Sequence, residues 1–374
     1  MAIELKIIDT PRGLRRFNRF PFSLYKGCPQ WVPPLLTDEM GTLRPDKNPA
    51  FEYCRARYWI AYKDGRPVGR IAGIVNDRYV ERWKNKYARF GWVDFVDDRE
   101  VSAALFAAVE EWAKAEGMTG VHGPMGFTDL DREGMLVDGF DELGTFLEIY
   151  NHPYYPQHME ALGYAKDTDW VEYEVMTPKE IPEKAYRVGR LILKRYGFRL
   201  VDAKRAKDLL PYAKDVFALL NQAYAHLYGM VDLTQKQVDA YVKQFFGYID
   251  TRYNKVVVDE DNHLVAFGLI LPSLSRALQK ARGRLLPFGF VHLLRALRDP
   301  KYLNLALIAV REEYQGRGIP AIIFAEVTRT AIENGVVSAE TSRELEDNVQ
   351  VRSLWKSYDA RQHKRRRVYL KDPV

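Results

Sequence analysis

Only two cysteines, Cys28 and Cys54, occur in 374 residues. Two thiols give no disulfide framework and cannot make a thiolate metal site on their own, and they fit a reducing, cytoplasmic compartment. Long apolar runs are also missing. The best, LNLALIAV at 303–310, is strand-sized, well short of the roughly 20 apolar residues of a membrane-spanning helix. The opening MAIELKIIDTPRG has no signal-peptide core and reads as a strand and a turn. Nor is the chain basic throughout. Its net charge is +6, yet the segment RQHKRRRVYLK (361–371) holds six basic and no acidic residues, which leaves the remainder neutral. One such patch reads as a solvated strand edge or a phosphate contact, and no DNA partner is expected.

What is present is an ordinary globular composition, 47% apolar and 28% charged, in a chain long enough for two domains. Two halves repeat one order of elements. A hairpin pattern, YWIAYKDGRPVGRIAGIVN (58–76), turns at Asp64-Gly65, and KVVVDEDNHLVAFGLILP (255–272) repeats it with a longer turn. Each is followed by a strand, an amphipathic helix and a strand. These lie at 90–95, 99–117 and 120–127, then at 303–310, 320–335 and 336–340, and both helices end at a glycine, Gly117 or Gly335. A helix-like stretch and a strand at 169–175 close the first half, and a helix over 348–362 with a final strand closes the second. Strand–helix–strand units fed by hairpins predict α/β domains with mixed sheets. The boundary is expected at 177–183, giving domains of 1–180 and 181–374.

The stretch EYQGRGIPAIIF (313–324) carries the chemistry. Two glycines flank an arginine between an apolar strand and a helix, where free backbone amides and the helix dipole suit a phosphate. With Gln315, Gly316, Arg317, Gly318 and Ile319 in the Gln/Arg-x-x-Gly-x-Gly/Ala places, and Asn348 heading the next helix, the second half resembles a Gcn5-related N-acetyltransferase (GNAT) domain. The first half resembles a fainter copy, as in bacterial two-domain N-acetyltransferase-like proteins. The resemblance implies tandem GNAT domains, each a mixed central sheet flanked by helices. It also implies coenzyme A or acetyl-CoA bound by that loop and by the backbone of Ile308 and Val310. Two positions depart from the pattern. Pro320 takes the last loop place and removes one donor, and Trp355 stands where the family has a tyrosine acid. The first half lacks the glycine loop, and Asp97 and Asp98 there suit a helix cap, not a pyrophosphate.

Acetyl transfer needs a neutral amine, a polarised carbonyl and a protonated thiolate. Tyr358, one turn beyond Trp355, is the candidate acid, with an ordinary helix position as the alternative. Glu340 is the candidate base, or else a helix cap; His363 is an outside candidate more simply read as titrating in solvent. The stretch 123–159 is rich in Gly, Asp and aromatics with little periodicity, as functional loops are. Asp129, Asp131 and Glu133 suit a cationic amine, with Tyr150, Tyr154 and Tyr155 shaping its cavity; a solvated acidic loop is the alternative, and no metal is expected. The Leu-, Phe- and Arg-rich stretch 273–300 reads as packing between domains or as a membrane-surface or acyl-chain element. The implied function is acetyl transfer to a small amine. Transfer from an acyl carrier protein or tRNA, or ligand binding without catalysis, are the alternatives.

Overall fold

A computed structural model describes residues 3–180 and 183–374; residues 181 and 182, at the expected boundary, lie outside the described residues. The first-half strands are β1 (Glu4–Ile7), β2 (Cys54–Lys63), β3 (Arg66–Asn76), β4 (Tyr87–Phe95), β5 (Gly120–Gly123), β6 (Met135–Asp138) and β7 (Ala165–Met176). Those of the second half are β8 (Arg199–Leu200), β9 (Lys255–Val258), β10 (Leu264–Pro272), β11 (Tyr302–Val310), β12 (Ser338–Thr341), β13 (Glu344–Leu345) and β14 (Ala360–Lys371). Both hairpins form. Asp64 and Gly65 take φ of 53° and 72°, the left-handed pair that a two-residue turn between twisted strands requires.

In each half the sheet is covered on both faces. Val101, Leu105, Phe106 and Val109 of helix Arg99–Ala115 pack on β2–β5, and Leu14 and Phe17 of helix Pro11–Leu24 cover the other side. In the second half, Ile319, Ile323 and Val327 of helix Ile319–Glu333 pack on one face, beside helix Glu183–Tyr196. Leu219 and Leu220 of helix Ala213–Tyr224 and Val238 of helix Gln235–Phe245 pack on the other.

The halves do not close separately. All the main strands form one sheet in the order β1-β2-β3-β4-β5-β14-β7-β12-β11-β10-β9-β8. The last strand of each half therefore pairs with the other half's sheet: β14 with β5, and β7 with β12. This corrects the reading of 361–371 as a solvated edge. β14 is interior, and its cations meet carboxylates: Arg366 with Glu172, Lys364 with Glu340, and both Arg365 and Arg367 with Asp169. A second correction concerns the last helix. It spans only Val349–Arg352, continues as the 3-10 turn Ser353–Ser357, and leaves Tyr358 extended at φ −112°, because the chain must straighten to enter β14.

A fork opens in each half. β4 and β5 run parallel from Tyr87/Gly120 to Arg89/His122 and then part; β11 and β12 do the same beyond Leu305/Thr341. The first fork is plugged, since Met125 N donates to Phe90 O at 2.8 Å and a Cβ on Gly91 would lie 2.4 Å from Met125 O. The amide donors at its helix start are also engaged, with Asp98 Oδ1 accepting from Glu100 N at 2.9 Å. The second fork faces a cavity.

Candidate active site

Ile308 sits on the open side of β11, where its backbone meets the hydroxyl of Tyr224. That hydroxyl donates to Ile308 O at 3.1 Å and lies 3.4 Å from Ile308 N. Two residues on, Gln315 Nε2 donates to Val310 O at 3.4 Å. The loop that follows carries positive φ at Gly316 (72°) and Gly318 (77°), and Gly318 is the N-cap of helix Ile319–Glu333. Pro320 is thus the second helical residue, where a missing N–H costs no helical hydrogen bond. Among the described residues, the amides of Gly316, Arg317, Gly318 and Ile319 have no acceptor. Arg317 is held over the rings of Tyr196 (4.8 Å) and Tyr314 (5.2 Å). These free amides, left-handed glycines and a fixed guanidinium fit a pyrophosphate. Asn348 caps the short helix Val349–Arg352, accepting from Val351 N at 3.2 Å, and lines the cavity with Ile308.

The cavity holds about 400 Å³, within the roughly 300–1,000 Å³ of small-molecule sites. Its long wall is apolar: Leu209, Val216, Phe217, Leu220, Phe245 and Phe246. Its other end is charged and comes from both halves, with Asp129, Glu133 and Glu148 of the 123–159 stretch facing Arg343 and Glu344. Arg343 Nη1 donates to Glu148 Oε2 at 2.8 Å, and its Nη2 lies 3.8 Å from Glu133 Oε2 and donates to Asp129 O at 2.7 Å. Burial raises the carboxyls against the guanidinium's pull, to about 6 for Asp129 and about 8 for Glu133, and upward for Glu148. Glu344 is pushed up to about 7, again by burial, while its Oε1 accepts from the Trp355 indole at 2.8 Å. Asp129 Oδ1, Glu133 Oε1 and Glu344 Oε2 are buried with no partner among the described residues. Buried carboxylates with a free oxygen and pKa values near neutrality are suited to moving protons.

The remaining expected residues lie elsewhere. Asp131 turns away to accept from Phe127 N and Thr128 N at 2.8 and 3.1 Å. Tyr150 donates to Phe140 O and lines a second cavity of about 180 Å³, while Tyr154 donates to Phe95 O and packs on the first-half core with Tyr155. Tyr358 packs edge-on against Trp355, 6.2 Å between centroids, outside the cavity lining. Glu340 is bound by Lys364 and lies 3.0 Å from His363 Nε2. His363 is accordingly not in solvent; its side chain is 6% exposed. Glu172, Glu340 and His363 lie close enough to share a metal ion, but Lys364 and Arg366 already neutralise both carboxylates. Tyr224, Glu148, Arg343 and Glu344 were missed from sequence; each looks like an ordinary helix or turn residue, and only the fork brings them together.

No family model matches the chain. It is 29% identical over 368 residues to Protein YghO of Escherichia coli (strain K12), covering 96% of this chain and 92% of the relative. It is 28% identical over 375 residues to the bacterial ceramide synthase of Caulobacter vibrioides (strain NA1000 / CB15N), covering 97% and 96%. Among solved structures it superposes on a tandem GNAT protein from the clavulanic acid biosynthesis pathway with a TM-score of 0.57, at 15% identity over 99% of each chain. The open fork, the glycine loop below it and the repeated mixed sheet are thus those of a two-domain protein with the tandem Gcn5-related N-acetyltransferase fold.

Proposed function

We propose that this protein is an acyl-CoA-dependent N-acyltransferase that joins a long acyl chain to the amine of a lipid-like acceptor. The observation that carries the reading is the apolar cavity of about 400 Å³ between the open fork and a buried acidic end. An acetyl group on a small amine would leave most of that wall unused. Each buried methylene instead contributes about 0.8 kcal/mol, roughly fourfold in affinity. A ceramide is the amide of a fatty acid and a long-chain amino alcohol, so the 28% identical relative named a bacterial ceramide synthase supports the same chemical class.

In this reading the thioester lies along β11 and its phosphates rest on residues 315–319. Asp129 and Glu133 receive the ammonium, and the free oxygen of Glu344 takes its proton. The amine nitrogen then attacks the thioester carbonyl, the carbon–sulfur bond breaks, the thiolate takes a proton from Tyr224, and the second proton lost by the nitrogen restores the Tyr224 phenol. The Tyr224 phenol, pushed up to about 12 by burial, stays protonated across neutral pH as an acid must. Trp355 orients Glu344 in place of supplying the acid itself.

The test is amide formation followed by mass spectrometry, with acetyl-, octanoyl- and palmitoyl-CoA against sphinganine and ethanolamine. Palmitoyl-CoA with sphinganine should give the highest kcat/KM. Equal or better turnover of acetyl-CoA with ethanolamine would return the protein to the small-amine reading, and no turnover with any pair would make it a binding protein.

A further inference from the structure

The stretch 273–300 is left without a role by the site above. Its inner face is firmly seated. Leu278, Ala281 and Leu293 pack on Val32 and Leu35, Leu36 N donates to Gly283 O at 3.1 Å, and Gln279 Nε2 donates to Pro29 O and Trp31 O at 2.7 and 2.9 Å. Its outer face is uncovered. Of twelve exposed large apolar side chains among the described residues, five lie within 285–294, and Leu286 and Phe288 are 77% and 74% exposed. Around them stand Lys280, Arg282, Arg284, Arg295 and Arg298, all exposed and none with an acidic partner among the described residues. No Asp or Glu occurs from 263 to 298.

We propose that the loop and helix at 284–298 seat the protein on an anionic lipid bilayer. Protruding leucine and phenylalanine side chains enter the acyl boundary while unpaired cations on long stems meet the headgroups. The cations specify the sign of the surface, and their freedom from internal carboxylates leaves their charge available to it. The patch also adjoins the cavity. Arg252 Nη2 donates to Arg298 O at 3.2 Å and Tyr248 packs against the same cluster, while Phe246 and Ile249 beside them line the apolar wall. A lipid acceptor taken from the bilayer would therefore have a short path to the site; this use of the surface rests on the proposed function, but the binding does not.

The experiment is co-sedimentation of the full chain with vesicles of phosphatidylcholine alone and of phosphatidylcholine mixed with phosphatidylglycerol. Wild type should bind the anionic vesicles and bind them less as salt rises. Arg284→Gln and Arg295→Gln should each weaken binding about fivefold. Leu286→Ser with Phe288→Ser should weaken it by about tenfold or more, since both protruding apolar anchors are lost. All three variants should keep the wild-type melting temperature, because the substituted side chains are exposed. Wild-type protein that ignores anionic vesicles, or variants that bind as well as wild type, would overturn the proposal. So would light scattering that shows a wild-type oligomer which the Leu286/Phe288 variant dissociates, since the face would then be a protein interface. The assay needs no turnover. Vesicle binding without amide formation would defeat the proposed function and leave this surface standing.

Discussion

Glu344 lines the charged end of the cavity with one oxygen free and the other on the Trp355 indole, and burial sets its chemistry. With its carboxyl raised from 4.5 to about 7, the folded state holds a proton that the unfolded chain has released. Its contribution to stability is therefore full below about pH 4.5 and is lost as pH rises through 7. Glu344→Gln keeps an acceptor for the Trp355 indole and removes the titration. Its melting temperature should match wild type near pH 5 and exceed it at pH 9. Its kcat should fall by about 10²–10⁴-fold, and the rise in rate between pH 6 and 8 expected of wild type should disappear. A variant that keeps that rise would place the base at Glu133 or Asp129. From sequence, Asp129 and Glu133 stood out because their stretch is rich in Gly, Asp and aromatics. Glu344 and Arg343 did not, since an Arg-Glu pair at the start of the two-residue β13 has no local signature and their function depends on burial.

Strands and loops were more legible. The Asp64-Gly65 turn, both central helices and the glycine loop follow from backbone chemistry held within a few neighbouring residues. Position in the loop also decides which glycine is the better probe. A Cβ on Gly318 would lie 2.9 Å from Ile192, whereas Gly316 opens to free space. Aspartate tolerates the left-handed conformation better than most residues. Gly316→Asp should therefore fold with only a small drop in melting temperature from its left-handed backbone, while its carboxylate repels the pyrophosphate, weakening coenzyme A binding by about tenfold or more in calorimetry, as expected when a charge-assisted contact worth roughly 1.5–3 kcal/mol is lost. Wild-type affinity in that variant would move the cofactor away from residues 315–319. The shortened last helix was not legible: the apolar spacing of 348–362 is helical, but the chain tightens into a 3-10 turn at Ser353–Ser357 and pairing of β14 claims its last three residues.

At the scale of the molecule, the exchanged strands explain what local reading could not. A strand with Lys364, Arg365, Arg366 and Arg367 looks like an edge because its carboxylate partners lie on β7 and β12, some 20 to 200 residues away in sequence. Folded, Arg366 and Glu172 are both buried, at 1% and 0% side-chain exposure, and Lys364 lies 3.9 Å from the same carboxylate. Arg366 of the second half thus depends on a carboxylate of the first, while Lys364 beside it is held by Glu340. Glu172→Ala leaves the Arg366 guanidinium buried without its carboxylate, and removing one partner of a buried pair costs about 3–5 kcal/mol. Because β14 and β7 join the two sheets, that loss should be felt by both halves together. Calorimetry of wild type should show one transition whose van't Hoff and calorimetric enthalpies agree, and Glu172→Ala should show one transition at a lower temperature. Two separate transitions, with only one displaced by the substitution, would mean that each half holds its own fold and that the exchange contributes little to cooperativity.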